Sequence, residues 1–368
     1  TRFKCDWSSD VCSSDLSFMA KRLIYDLDFE ALAAALAELD QPAFRTQQLW
    51  EGLYTHYFAD FAQFSNIPKD LRDSLSAQFI IDPLRVQKSL LSKDGLTEKV
   101  LFTLPDNLSI ETVLMRYERR NSLCISTQIG CPMGCVFCAT GQMGFIRNLS
   151  SGEILAQVLH FMRKLKAEDQ NLTNIVYMGM GEPFLNYEAT MDSIQRLMDP
   201  RGLNFGARRI TISTVGIIPK IEQFTKENLQ VNLAVSLHAA DDSLRSQLVP
   251  ANRMYPLSKL IPACKAYTEQ THRRISFEYA LIDGVNDSHE AALALSNLLK
   301  GMLCHVNLIA LNPSKKYPLQ GSSKTKVHAF SATLEEHGIP VTIRLRRGVE
   351  IHAGCGQLAS AEKTFDNN

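Results

Sequence analysis

Residues 29–39 read Phe-Glu-Ala-Leu-Ala-Ala-Ala-Leu-Ala-Glu-Leu, and the leucines at 32, 36 and 39 among strong helix formers predict a helix. Beyond Pro42, Phe44, Leu49, Trp50, Leu53 and Tyr57 recur at helical spacing, and Ile67-Pro68-Lys69 leads into a third segment. Residues 19–85 therefore read as a small N-terminal helical domain. The period then changes. Residues 100–104 and 110–115 are β-type runs on either side of Pro105-Asp106-Asn107, which predicts a β-hairpin extension over residues 86–120.

From residue 121 onward strands and helices alternate. Strand-like runs fall at 123–127, 174–179, 209–213, 231–237, 275–281 and 306–311, with a last one at 341–345. Helical stretches at 151–166, 187–198, 219–226, 256–268, 287–299 and 323–337 separate them. Ser150 with Glu153, and Asp287 with Glu290, have capping-box spacing. Six β/α units in succession demand a parallel sheet, because each parallel pair needs a long crossover. Six units do not close an eight-stranded barrel. The expected fold class is α/β, an open partial (β/α)6 barrel over residues 121–350 with its site at the C-terminal strand ends. Residues 351–368 are set apart as a C-terminal segment and tail.

Composition narrows the function classes. The chain has 368 residues, 45% hydrophobic and 21% charged, enough for a large core, so disorder is excluded as the dominant state. Thirty-nine basic residues balance thirty-nine acidic ones, which excludes a protein that coats nucleic acid through net charge but allows a local basic face. The longest stretch without a charged side chain, Asn121 to Ile146, holds four glycines and a proline and does not read as a membrane span. Nine cysteines are too few for a disulfide scaffold, so a reducing, cytoplasmic setting is expected. The opening TRFKCDWSSDVCSSDL has no periodicity, and residues 1–18, with Cys5 and Cys12, read as a tail or as foreign sequence.

Chemistry concentrates in Cys131-Pro-Met-Gly-Cys135-Val-Phe-Cys138, just after the first barrel strand. Cysteine thiolates hold iron–sulfur clusters, and three of them on a four-iron cluster leave one iron open. The glycines at 130, 134, 141 and 144 let such a loop fold around a bulky inorganic group. A zinc knuckle is the competing reading, but structural zinc favours a second cysteine pair that this chain lacks.

This spacing after the first strand of a partial barrel resembles the radical S-adenosylmethionine (SAM) superfamily. The resemblance implies one [4Fe-4S] cluster on Cys131, Cys135 and Cys138, with SAM on the open iron and cleaved to a 5′-deoxyadenosyl radical. It narrows further at Met178-Gly-Met-Gly-Glu182-Pro183, Ile212-Ser213-Thr214, Ser236-Leu237-His238 and Leu311-Asn312-Pro313, at the ends of the second, third, fourth and sixth strands. These are similar to segments of adenosine methyltransferases of ribosomal RNA, and the matching Gly181, Glu182, Ser213, Ser236, Leu237, His238 and Asn312 are implied to contact SAM. The stretch from Arg346 to Leu358, with Gly354-Cys355-Gly356 inside it, matches the bacterial family that methylates carbon 2 of adenosine in both 23S ribosomal RNA and tRNA.

For that family the resemblance implies a sequence of steps that uses two SAM molecules per turnover. Cys355 takes a methyl from one SAM, the radical derived from a second removes a hydrogen from it, and the carbon adds to the adenine ring. Glu111 is implied as the proton acceptor and Cys124 as the resolving thiol, which attacks Cys355 and releases RNA with formation of a disulfide. Implied partners are 23S rRNA at the peptidyl transferase centre, tRNA beside the anticodon, and a reducing donor of flavodoxin or ferredoxin type, with no membrane and a monomeric chain. Arg116, Arg119, Arg120, Arg208, Arg209, Lys315, Lys316, Arg344, Arg346 and Arg347 are read as a phosphate-binding rim, and Phe137 and Tyr177 as candidates for base stacking. The competing readings are a carbon-8 rRNA methyltransferase conferring antibiotic resistance, a radical SAM activase, and a non-catalytic Fe–S RNA-binding or redox-sensor protein.

Overall fold

The computed structural model describes residues 21–312 and 319–359. The tail of residues 1–18, with Cys5 and Cys12, and the basic pair Lys315 and Lys316 lie outside the described residues.

The N-terminal region holds a short parallel pair, β1 (Arg22–Leu23) with β2 (Phe79–Ile80), around α1 (Phe29–Ala37), α2 (Phe44–Tyr54) and α3 (Lys69–Gln78). Asp28 caps α1 by accepting from the Ala31 amide at 2.7 Å. The second helix stops before Tyr57, which adopts a left-handed backbone (φ 62°), so the helical spacing read through that residue does not hold. Trp50 and Tyr54 are buried with ring centroids 4.4 Å apart and join one core that continues into the barrel.

Next come β3 (Arg85–Leu91), β4 (Thr97–Thr103), β5 (Ser109–Tyr117) and β6 (Arg120–Cys124). The stretch expected as a hairpin is thus three antiparallel strands, and the last pairs with β6 with Val113 opposite Cys124. The alternation in 85–91 was hidden because most of that strand is exposed on both faces.

The cysteine segment hangs from a two-stranded ribbon, β7 (Gln128–Gly130) against β8 (Phe145–Asn148), with one short helix, α4 (Ala139–Gln142), inside it. Gly130 has φ 73°, and a Cβ there would meet the Gly144 carbonyl oxygen at 1.9 Å, so the ribbon closes only around glycine.

The remaining elements are α5 (Ser151–Ala167), β9 (Asn174–Tyr177), α6 (Tyr187–Met198), β10 (Ile210–Thr214), α7 (Ile218–Lys226), β11 (Asn232–Ser236), α8 (Asp242–Leu248) and α9 (Leu257–Thr271). They are followed by β12 (Ile275–Leu281), α10 (His289–Leu299), β13 (Cys304–Ala310), α11 (Lys324–Glu336) and β14 (Val341–Ile343). Every neighbour pair from β6 through β14 is parallel and follows chain order. The sheet runs from β3 at one edge to β14 at the other and does not close, in line with the expected open (β/α)6 barrel. Ser150 and Glu153 form both halves of their capping box. Asp287 does not cap α10. Ser288 does, while Asp287 accepts from the Gly284 amide and the Ser322 hydroxyl and pairs with Lys326. Among the described residues no helix is long and apolar enough to cross a membrane.

Candidate active site

The C-terminal ends of the barrel strands and the cysteine ribbon enclose one cavity of about 160 Å³. Cys131, Cys135 and Cys138 line it from one side, and Gly181, Glu182, Ser213, Ser236, His238 and Asn312 from the strand ends. Cys355 and Gly356 close it from the C-terminal segment. Of the residues expected to contact SAM, Leu237 alone is missing from this wall. Its side chain is fully buried, its amide donates to the Glu278 carbonyl and its carbonyl accepts from Arg245.

The three thiols sit where burial penalises thiolate. Desolvation pushes Cys131 up to about 12 and also raises Cys135 and Cys138. A metal centre removes that penalty by supplying positive charge to the deprotonated sulfurs. Cys131, Cys135 and Cys138 on one wall of a shared cavity match the three-thiolate donor set of an iron–sulfur cluster.

The other end of the cavity is pre-formed by backbone geometry. Gly181 takes φ 106°, and a Cβ there would lie 2.6 Å from Gln128 Cβ. Glu182 is buried and accepts from the Phe184 amide at 3.0 Å and from the Val215 amide at 2.8 Å, so its carboxylate ties the loop after β9 to the loop after β10. Burial nevertheless raises its pKa to about 7. His238 is left-handed (φ 61°), and its Nδ1 accepts from the Ala280 amide at 3.0 Å, which leaves Nε2 as the protonated nitrogen. Burial and then Arg245 hold its pKa down to about 3, so the ring is neutral. Asn312 donates to the Cys355 carbonyl, while its buried Oδ1 has no partner.

Cys355 is the sole exposed cysteine among the described residues, although the surrounding protein still raises its thiol pKa through desolvation. Its loop is stitched to the cysteine segment. The Ala139 amide donates to the Gly356 carbonyl at 2.7 Å, and the Thr140 hydroxyl to the Leu358 carbonyl at 2.6 Å. Cys124, at the end of β6, lies outside the cavity wall in a small apolar cluster with Val113, Met180, Ala353 and Leu358. Its thiol is raised by burial first and by the Cys355 side chain second.

Glu111 also lies off the cavity wall. It is buried in an ion pair with Lys99 at 2.8 Å and accepts from the Ala359 amide at 2.8 Å. Burial raises its pKa against the opposing effect of Lys99. The expected rim and stacking residues separate. Arg120 and Arg347 both lie over the Tyr117 ring, at 4.3 and 4.4 Å, and Arg116 pairs with Glu168. Arg208 and Arg209 precede β10 and so occupy the opposite end of the strands from the cavity. Tyr177 is fully buried with its hydroxyl on Ser193, so it offers no ring face to a base, whereas Phe137 meets His238 edge-on at 4.7 Å.

Two residues at the site escaped the sequence reading. Arg245 is fully buried on α8 and donates to the carbonyls of Val215, Ser236 and Leu237, which fixes the ends of β10 and β11. Its helix is seven residues of mostly polar sequence, too short to show a period. Glu278 lines the cavity from β12 and accepts from Asn307 at 2.8 Å; a carboxylate inside the apolar run Ile-Ser-Phe-Glu-Tyr-Ala-Leu was the available signal.

Comparison with known proteins agrees with this arrangement. The radical SAM superfamily profile matches residues 125–295, and the ribosomal RNA large subunit methyltransferase N-terminal domain matches residues 23–81. The chain is 46% identical over 352 residues to the protein called "Probable dual-specificity RNA methyltransferase RlmN" of Chloroflexus aurantiacus, which covers 93% of each chain. It is 46% identical over 335 residues to "Dual-specificity RNA methyltransferase RlmN 1" of Myxococcus xanthus, which covers 91% of this chain and 93% of that one. The crystal structure of a radical SAM methyltransferase from Sphaerobacter thermophilus superposes with a TM-score of 0.91 at 48% identity, covering 92% of this chain and 99% of the other. A partial barrel, a three-cysteine cavity and full-length likeness on this scale place the chain in the RlmN family of dual-specificity RNA methyltransferases, within the radical SAM superfamily.

Proposed function

We propose that this RNA methyltransferase places a methyl on carbon 2 of adenosine in 23S rRNA and in tRNA, with Cys355 as methyl carrier, Cys124 as resolving thiol and Glu111 as proton acceptor. One observation carries the reading: exposed Cys355 lies on the wall of the cavity lined by Cys131, Cys135 and Cys138, with buried Cys124 packed among Ala353 and Leu358 of the same segment. A [4Fe-4S] cluster on the three cysteines with SAM beside it would supply a 5′-deoxyadenosyl radical.

The protein's own groups do the rest. Gly181, Glu182, Ser213, Ser236, His238 and Asn312 shape the SAM site, and Leu237 contributes by holding the strand end. Cys355 acts as thiolate toward the methyl of a first SAM, so each turnover uses two SAM molecules. Glu111, made more basic by burial, takes the proton that leaves carbon 2. Once the adduct has lost that proton and one electron, the Cys124 thiolate attacks the Cys355 sulfur; the sulfur–carbon bond breaks toward carbon, which takes up a proton to become the methyl group, and the freed RNA leaves a disulfide to be reduced. A monomer in the cytoplasm, served by a flavodoxin- or ferredoxin-type donor, completes the proposal.

Anaerobic reconstitution with SAM, a reductant and protein-free 23S rRNA or tRNA, followed by nucleoside mass spectrometry, tests it. 2-Methyladenosine in both RNAs is the expected product, and 8-methyladenosine or unmodified adenosine overturns it.

A further inference from the structure

A second cavity, of about 550 Å³, opens on the barrel from the N-terminal side of the strands. All the residues that line it are polar or charged. Thr211, Asn232 and Ser276 come from the starts of three successive strands, and Arg208 from the segment before β10. Arg273 and Arg274 come from the turn before β12, and Arg344 from just after β14. Binding cavities for organic ligands are mostly apolar, so this one fits no ring or acyl chain.

Its charge is one-sided. Four arginines face one carboxylate, that of Glu278, which already accepts from Asn307 and lies 3.6 Å from Arg344. The donors are also incompletely used. Arg273 donates to Gln230 and Asn232, neither of them an anion. The buried Nδ1 of His305 has no partner. A buried polar atom without a partner beside uncompensated cations costs stability unless a ligand completes it. Guanidinium groups match the oxygens of phosphate bidentately.

We propose that this cavity is a binding site for phosphate groups, held by Arg208, Arg273, Arg274 and Arg344 toward the opposite end of the strands from the cavity that takes SAM, with Glu278 as the wall the two share. The ligand is a chain of phosphates, either a free inorganic polyphosphate or a stretch of nucleic-acid backbone. The inference stands independently of the methylation chemistry, since it uses none of the cysteines.

Inorganic tripolyphosphate, titrated into the full-length protein and followed by calorimetry, is the test. Saturable binding is expected, weakened at least about tenfold by Arg274→Glu and less by Arg274→Lys. Lys259→Glu, exposed on α9 and outside the cavity, should leave the affinity unchanged. A short single-stranded RNA that competes with tripolyphosphate for the Arg274-dependent site assigns the source to RNA backbone, and absence of competition assigns it to a free polyphosphate. No saturable binding at 0.15 M salt, or equal binding by Arg274→Glu and wild type, overturns the proposal.

Discussion

Asn312 donates from Nδ2 to the carbonyl of Cys355 at 3.3 Å, while its own Oδ1 is buried and unpartnered. One side chain thus holds the exposed cysteine's backbone and presents an unused acceptor at the cavity. Asn312→Ala should weaken SAM binding about tenfold, the equivalent of one hydrogen bond. Equilibrium dialysis with the cluster-loaded enzyme checks this, and an unchanged Kd rejects Asn312 as a cofactor ligand.

The two thiols outside the cluster motif should fail differently. Cys355→Ala is expected to abolish methylation while SAM still binds. Cys124→Ala should accumulate protein covalently joined to RNA, visible as a nuclease-sensitive band of retarded mobility. Free methylated RNA at wild-type turnover from Cys124→Ala would remove the resolving role.

Glu111 raises a question of separation, because it is both an ion-pair partner of Lys99 and the proposed base. Glu111→Gln leaves the buried ammonium unpaired and should cost about 3 kcal/mol. Lys99→Met combined with Glu111→Gln removes both charges and should recover most of that loss in urea unfolding. Turnover should stay absent in the double variant. If it returns with stability, Glu111 is structural only.

Stability of the cluster-free protein should fall with rising pH across an unusual window. Burial lifts Glu182 to about 7, above its unfolded value, so the folded state holds a proton that the unfolded chain has lost. The stabilisation is complete below the ordinary carboxyl range and disappears as pH rises through about 7. Glu111 and Glu278 are raised by burial too, and add in the same direction. Glu182 alone accounts for a change on the order of 3 kcal/mol. Denaturant unfolding from pH 4.5 to 8 should therefore show a decline that Glu182→Gln flattens; an equal slope in the variant refutes the assignment.

Much of this architecture is written locally in the chain. Ser150 and Glu153 mark the start of α5 because a capping box is a short-range device. The strand order follows from alternation, since each crossover leaves few topologies open. What stayed hidden depends on distant partners. Arg245 looks like a solvated helical arginine until the carbonyls of two strand ends surround it. Asp287 has the spacing of a cap, but Ser322 and Lys326, far along the chain, claim its carboxylate. Tyr177 reads as a stacking platform only until its hydroxyl is found on Ser193 inside the core. Gathering Cys131, Cys135, Cys138 and Cys355 around one space was legible only through family likeness, because nothing in the spacing of residue 355 points to the ribbon.

The pairing of β5 with β6 has an engineering consequence. Glu111 and Cys124 ride on adjacent strands of the seam where the antiparallel extension meets the parallel barrel. A chimera that swaps residues 85–117 as a detachable module would replace Glu111 itself and change the strand against which Cys124 is paired. Grafting this chemistry onto another barrel therefore requires transplanting the seam intact.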